Sequence, residues 1–304
     1  MMQHHHQSTR RQHVLSALLI VGLTAIWGST FVVMKRELGG ISPGMLMFLR
    51  FAIGAVVLLP FLRRNAETWR MGAELGLWLW AGYWTQVVGL QYTSVNRSAF
   101  ITSLSVIFVP MIAAACGRRV PLAVWVAAAL AVVGVGLLSY DGSAPNRGDV
   151  WTLATALSYG IFFLRLERAA QRAEPLPLTA VAMLTVTALS LAWLAVERPQ
   201  IGPVPWGAIV YLGLVATAIS TSLQTVAQKH VPAPEAGVIF TLEPVFASAF
   251  AYLFFGDLLG ARGWAGAGLI IVSALLCQWP AATNDPAAEV PHEEESDASR
   301  EPVG

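Results

Sequence analysis

Two ionisable side chains sit inside otherwise apolar runs: Arg50 in LMFLRFAIG and Glu243 in IFTLEPVF. A charge in such surroundings costs roughly 2.5–3.5 kcal/mol on insertion scales unless it is paired or wet, so each needs a partner or a task. The planar donor fork of Arg50 suits a carboxylate on a bound anion, or equally the backbone carbonyls of a neighbouring helix end. Glu243 precedes Pro244. A proline removes a backbone donor and kinks its helix, which frees carbonyls to line a wet space. A carboxylate there is a candidate for coupling proton movement to other traffic; pairing with Arg50 or bonding to a neighbouring helix are the alternatives.

Uncharged polar residues mark out faces. Ser98, Thr102 and Ser105 fall at i, i+4 and i+7, and Thr217, Ser220, Thr221 and Gln224 repeat that spacing later in the chain. Thr85 and Gln86 stand in the middle of a third apolar run. Such faces suit opposed walls of a pathway, although Ser and Thr also serve as small packing residues between helices. Gln86 and Gln224 carry more weight, because a bulky amide in hydrocarbon needs several partners. Trp27, Trp80, Tyr83, Trp84 and Tyr159 lie deep enough to stack on a solute or to pack. Trp69, Trp151, Trp206, Trp264 and Trp279 lie at run ends, as interface anchors do. Glu74 and Arg165 are expected to reach the interface.

The elements that hold these residues follow from composition. The 304 residues are 56% hydrophobic and 12% charged, with a mean hydropathy of +0.60. That leaves too little polar surface to cover a water-soluble domain, for which about 25% charged residues is ordinary. Seven of the 18 acids lie in residues 285–301. Reading the apolar runs as membrane-spanning helices gives ten, near 14–34, 43–62, 71–91, 97–116, 121–140, 148–166, 176–196, 205–228, 235–255 and 262–280. The runs are continuous rather than alternating, which excludes barrel strands. Cys116 and Cys277 are too few for a disulfide framework or a four-ligand metal site. No metal or other cofactor is expected, and the net charge of +1 offers no nucleic-acid footprint.

The chain also repeats. A shift of 139 residues places 95–137 on 234–276 without a gap, with Thr102 on Thr241, Val106 on Val245, Gly117 on Gly256, Trp125 on Trp264 and Leu130 on Leu269. Five spans per half is an odd number, so the second half enters the bilayer from the opposite side, an arrangement that suits alternating access. With the N-terminus in the cytoplasm, inner segments hold eleven Lys/Arg and outer segments six. The division expected is a cytoplasmic tail 1–13, a first repeat 14–140, a second repeat 148–280 and an acidic disordered cytoplasmic tail 281–304. The fold expected is all-α integral membrane, ten transmembrane helices as two inverted five-helix repeats.

Over residues 14–280 the chain resembles the drug/metabolite transporter superfamily, in particular its EamA-type members. The resemblance is carried by Trp27-Gly28-Ser29-Thr30-Phe31, Leu49-Arg50-Phe51, Gly89-Leu90-Gln91-Tyr92-Thr93-Ser94, Leu242-Glu243-Pro244-Val245-Phe246, Gly256-Asp257 and Gly263-Trp264-Ala265-Gly266. It departs in having Asp257 where such proteins often have Glu, and Arg118 at the first-half counterpart. The resemblance implies a cavity walled by helices one to four and six to nine, with five and ten peripheral, and a function in exporting amino acids or other small metabolites.

The expectation is therefore a secondary transporter of a small metabolite, such as an amino acid, in the plasma membrane with both termini cytoplasmic. Its partners are the solute and membrane lipid, with a proton as a possible coupling ion; no nucleic acid is expected and the oligomeric state is open. Expected cavity residues are Trp27, Arg50, Tyr83, Gln86, Thr102, Tyr159, Thr217, Thr221 and Gln224, with Glu243 for coupling. A phosphorylated or sugar-type solute is the nearest alternative. A membrane enzyme would need a reactive cluster absent from the spans, and a non-transporting scaffold would leave the buried charges without a task. The chain has no nucleotide-binding P-loop, so an ion or solute gradient is the expected energy source.

Overall fold

A computed structural model of the chain describes residues 2–93, 95–139, 144–199, 202–255 and 260–278. The described residues are helical, with no strand among them. In order they form α1 (Met2–Glu37), α2 (Pro43–Leu58) with a 3₁₀ turn (Leu59–Phe61), α3 (Ala66–Tyr92), α4 (Val95–Ser103), α5 (Ser105–Ala115), α6 (Leu122–Ser139), α7 (Arg147–Arg172) and α8 (Pro175–Glu197). There follow α9 (Trp206–Val210), a π-helical segment (Tyr211–Ile219), α10 (Ser220–Ala227), α11 (Ala233–Phe240), α12 (Glu243–Phe255) and α13 (Ala261–Gln278). The Gly256-Asp257 turn and the acidic tail 281–304 lie outside the described residues.

The helix starts follow from local chemistry. Ser42 accepts from the Met45 amide and Pro43 takes the first position of α2, where its missing N–H is no loss. Asn65 caps α3 in the same way. Asn146 and Asp149 form a capping box that opens α7.

The molecule is oily outside. Leu122, Val150, Val196, Trp264 and Leu275 are all more than three-fifths exposed, while Thr24, Arg50, Ser98, Thr152, Thr155, Ser190, Ser220 and Ser273 are fully buried. That inversion of the usual soluble pattern places the chain in a membrane. Five helical runs are long and apolar enough to cross it: Arg10–Glu37, Pro43–Phe61, Arg97–Ala115, Pro175–Glu197 and Trp206–Ala227. Leu122–Leu138 and Ala261–Leu276 are shorter apolar helices. α3 and α7 are long but less apolar; α3 packs against both α7 and α8.

Small residues set the closest approaches. Gly134 and Gly266 face each other between α6 and α13, where a methyl group on Gly266 would stand 2.5 Å from the Gly134 carbonyl oxygen. Gly136 and Gly268, two residues further along each helix, have no such crowding around them. Glu74 and Arg165 pair with each other at 2.9 Å, each about half exposed.

Candidate functional site

Two helical passages break midway, at positions that fall within two residues of each other under the 139-residue shift. The first break is Leu104, between α4 and α5; the second is Thr241-Leu242, between α11 and α12. At each the hydrogen bonding tightens to i−3: the Leu104 amide bonds the Ile101 carbonyl, and the Thr241 and Leu242 amides bond those of Val238 and Ile239. Pro244 explains the second break, since it has no N–H for the Phe240 carbonyl. The first has no proline at the break; beside it Ser103 Oγ donates to the Ala99 carbonyl at 2.8 Å, a back-bond that several unbroken helices of this chain also carry. In lipid a broken helix is tolerated where it lines a protected cavity, and both breaks do so.

That cavity encloses about 70 Å³ and is lined from both breaks by Thr102, Ser103 and Ser105 and by Phe240, Thr241, Glu243 and Pro244. Trp27, Thr30 and Phe31 line it from α1, Tyr83 and Gln86 from α3, Tyr159, Phe162 and Phe163 from α7, and Thr221 and Gln224 from α10. About 10–15 Å³ on this measure holds one water, so the space takes a handful of waters and must widen for a metabolite.

Eight of the ten expected residues thus meet on one cavity: Trp27, Tyr83, Gln86, Thr102, Tyr159, Thr221, Gln224 and Glu243. The amides are only partly bonded by protein. Tyr159 donates its hydroxyl to Gln86 Oε1 at 3.4 Å, and Gln224 Nε2 donates to Gln228 Oε1 at 3.1 Å. Thr102 Oγ1 is buried with no partner among the described residues. Glu243 makes no hydrogen bond or ion pair with a described residue, although Arg50 is near enough for its charge to act there. Its position is set by α1: a methyl group on Gly28 would stand 2.9 Å from both the Glu243 carbonyl oxygen and the Ala247 nitrogen.

Arg50 and Thr217 lie behind the wall rather than on it. Arg50 is fully buried and donates from Nε to Thr217 Oγ1 at 2.7 Å, from Nη2 to Tyr83 Oη at 3.1 Å and from Nη1 to Met34 Sδ at 3.3 Å. Its guanidinium also stands over the Tyr83 ring, 4.5 Å from the centroid. The reason Thr217 leaves the cavity face is the π segment, which unwinds the helix just before Thr221 and breaks the 3.6-residue period on which the face was drawn. The Ala216 carbonyl in that segment accepts from Trp27 Nε1 at 3.2 Å and from Arg50 Nη2 at 3.5 Å.

Aromatic rings encircle the space. Ring centroids run from Tyr83 to Tyr159 (5.6 Å), Phe163 (6.2 Å), Phe240 (4.6 Å) and Trp27 (5.6 Å), and the Ala216 carbonyl with Arg50 closes the circuit back to Tyr83. Phe163, Phe240 and Thr241 were absent from the expected set. Thr241 was recoverable, as it matches Thr102 in the repeat. Trp80 and Trp84 lie outside the cavity lining and stack on each other at 5.2 Å, with Trp84 edge-on to Trp151 and Trp193.

Polar ties close each end of the bundle. At the end where α1 begins, Arg118 grips Glu167 through two hydrogen bonds of 2.7 and 2.8 Å, and Glu167 Oε2 also accepts from the Ala233 amide. That grip holds the Arg118 guanidinium further above its already high ordinary value, chiefly through the Glu167 hydrogen bond. Beside it His13 meets Glu235 at 2.9 Å. At the other end Arg97 makes two 2.8 Å bonds to Asp149, while Lys35 caps the last carbonyls of α3 at Leu90 and Thr93.

The EamA-like transporter family model matches the chain twice, over residues 14–140 and 146–278. A transporter of Archaeoglobus fulgidus, itself uncharacterized, is 30% identical over 89% of this chain and 87% of its own length. The biotin transporter of Escherichia coli is 26% identical over 73% of this chain and 79% of its own. A crystal structure 21% identical to the chain shares the fold, with a TM-score of 0.72 over 86% of this chain and 96% of the other. A double match spanning nearly every described residue, on a cavity built from both copies, makes the chain a member of the EamA-like transporter family.

Proposed function

We propose that this protein is a secondary transporter that exports a small amphipathic metabolite, such as an amino acid, across the plasma membrane by alternating access. The observation that carries the reading is the cavity where the broken passages of both repeats meet, α4–α5 from one and α11–α12 from the other. Taking each broken pair as one passage, and α9 through α10 as another, we count ten passages in two inverted sets of five. Exchanging the conformations of two inverted halves moves an opening from one face to the other while the cavity between them persists. The breaks supply the flexible points, and the polar ties at the two ends are the contacts that must part in turn. The excess of Lys/Arg in alternate loops favours cytoplasmic termini. Glu243, facing the cavity without a hydrogen bond or ion pair to a described residue, is the candidate for proton coupling.

A phosphorylated solute fits less well. It calls for several cationic side chains, and among the described residues no Lys or Arg lines the cavity. The test is flux into proteoliposomes for a panel of amino acids, amines, sugars, sugar phosphates and biotin. Saturable movement of one class, lost on denaturing the protein before reconstitution, supports the reading. Monodisperse protein that moves none of them overturns it.

A further inference from the structure

We infer that the cavity selects solutes bearing a positively charged nitrogen on an apolar or aromatic body. The inference deepens the transport reading and rests on its cavity being where the solute binds.

Two features of the lining suit a positively charged group. The Glu243 carboxylate faces the cavity with no hydrogen bond or ion pair to a described residue. The cation whose charge reaches it, Arg50, is fully buried and already bonded to Thr217, Tyr83, Met34 and the Ala216 carbonyl. Turning it toward a solute would abandon acceptors that have no replacement. The second feature is the belt of Trp27, Tyr83, Tyr159, Phe163 and Phe240, which accepts an apolar body and, at ring faces not already covered, attracts a cation.

Neutral groups complete the recognition. Gln86, Gln224 and Thr102 offer hydrogen bonds without charge, so they orient a solute that Glu243 and the rings hold. An anion entering the same space would approach Glu243 with no Lys, Arg or His among the lining residues to receive it. It would lose its hydration with no cationic side chain of the lining to replace it. A zwitterion is admitted through its ammonium end, which makes amino acids acceptable and free amines better.

The experiment uses the full chain in nanodiscs and four probes that share one ring: phenethylamine, phenethyl alcohol, 3-phenylpropionate and phenethyl phosphate. Binding is read by calorimetry and by Trp fluorescence. The expected order has the amine tighter than the alcohol by at least about tenfold, with no saturable binding of the two anions. Glu243→Gln, checked for monodispersity, brings amine and alcohol within about threefold, and Glu243→Asp restores part of the preference. Wild-type protein that binds either anion as tightly as the amine, or binds no amine, overturns the inference without needing any variant. Retention of the amine preference by Glu243→Gln also overturns it. Proteoliposome flux separates this from the parent reading. Saturable movement of an anion but not of the amine sinks the selectivity and leaves transport standing, whereas tight amine binding without flux of any solute sinks transport and leaves the selectivity.

Discussion

Arg50 Nε donates to Thr217 Oγ1 at 2.7 Å, and this bond joins the first family match to the second behind the cavity wall. The approach is close because Gly213 lets the π segment lie against α2, where a methyl group would meet the Arg50 carbonyl oxygen at 2.8 Å. Arg50→Lys keeps the charge but loses the planar fork that reaches Thr217, Tyr83 and Ala216 together. The expected result is a lower melting temperature, on the scale of roughly 3–5 kcal/mol for a broken buried charge network, with solute affinity in the surviving folded protein changed less than about threefold. Thr217→Val is milder, at about 1–3 kcal/mol, since one donor is orphaned. An unchanged melting temperature with lost affinity would instead make Arg50 a solute ligand.

The contact between Arg118 and Glu167 predicts non-additive behaviour. Glu167 is 94% buried by residue and serves three donors, two on Arg118 and the Ala233 amide. Arg118→Met alone leaves a buried carboxylate without its cation, so it destabilises more than Arg118→Met combined with Glu167→Gln. Melting curves of the two single variants and the double variant decide this. Glu167→Gln alone is expected to speed exchange of the Ala233 amide about tenfold in a hydrogen-exchange measurement, because its acceptor weakens. Strict additivity of the pair would mean that the contact carries no coupling.

Much of the cavity is readable in the chain because its residues are odd for their surroundings. Gln86, Gln224 and Glu243 are too polar to face lipid, and the Thr102–Thr241 match already marks both breaks. What periodicity cannot show is where a regular helix stops being regular. The face drawn through Thr217 and Thr221 assumes 3.6 residues per turn, and the π segment from Tyr211 to Ile219 breaks that assumption. Arg50 illustrates a second limit. Its run says that it is deep, but whether it points into the cavity or behind it depends on where Thr217 and Tyr83 arrive from other helices. The break at Leu104 has no proline beside it to announce it, and the Ser103 back-bond next to it is of a kind that unbroken helices of this chain also carry.

Two glycine contacts against backbone, the Gly266 one the tighter, separate stability from function. Gly28 seats α1 on the backbone of α12 beside Glu243, and Gly266 seats α13 on α6, away from the cavity lining. In both Gly28→Ala and Gly266→Ala the new methyl group meets backbone, which cannot rotate aside, so helices must separate at a cost of about 1–3 kcal/mol. The melting temperatures of both variants should therefore fall, that of Gly266→Ala at least as far as that of Gly28→Ala. Their binding should diverge. Gly28→Ala displaces Glu243 and the belt ring of Trp27 next to it, and at least about a tenfold loss of amine affinity is expected. Gly266→Ala moves only the outer pair of helices, and affinity within about threefold of the parent is expected. The comparison is read by pairing melting curves with calorimetry on the same preparations. Equal losses of affinity in the two variants would mean that the α6–α13 seam participates in the site and that α1 has no special hold on Glu243.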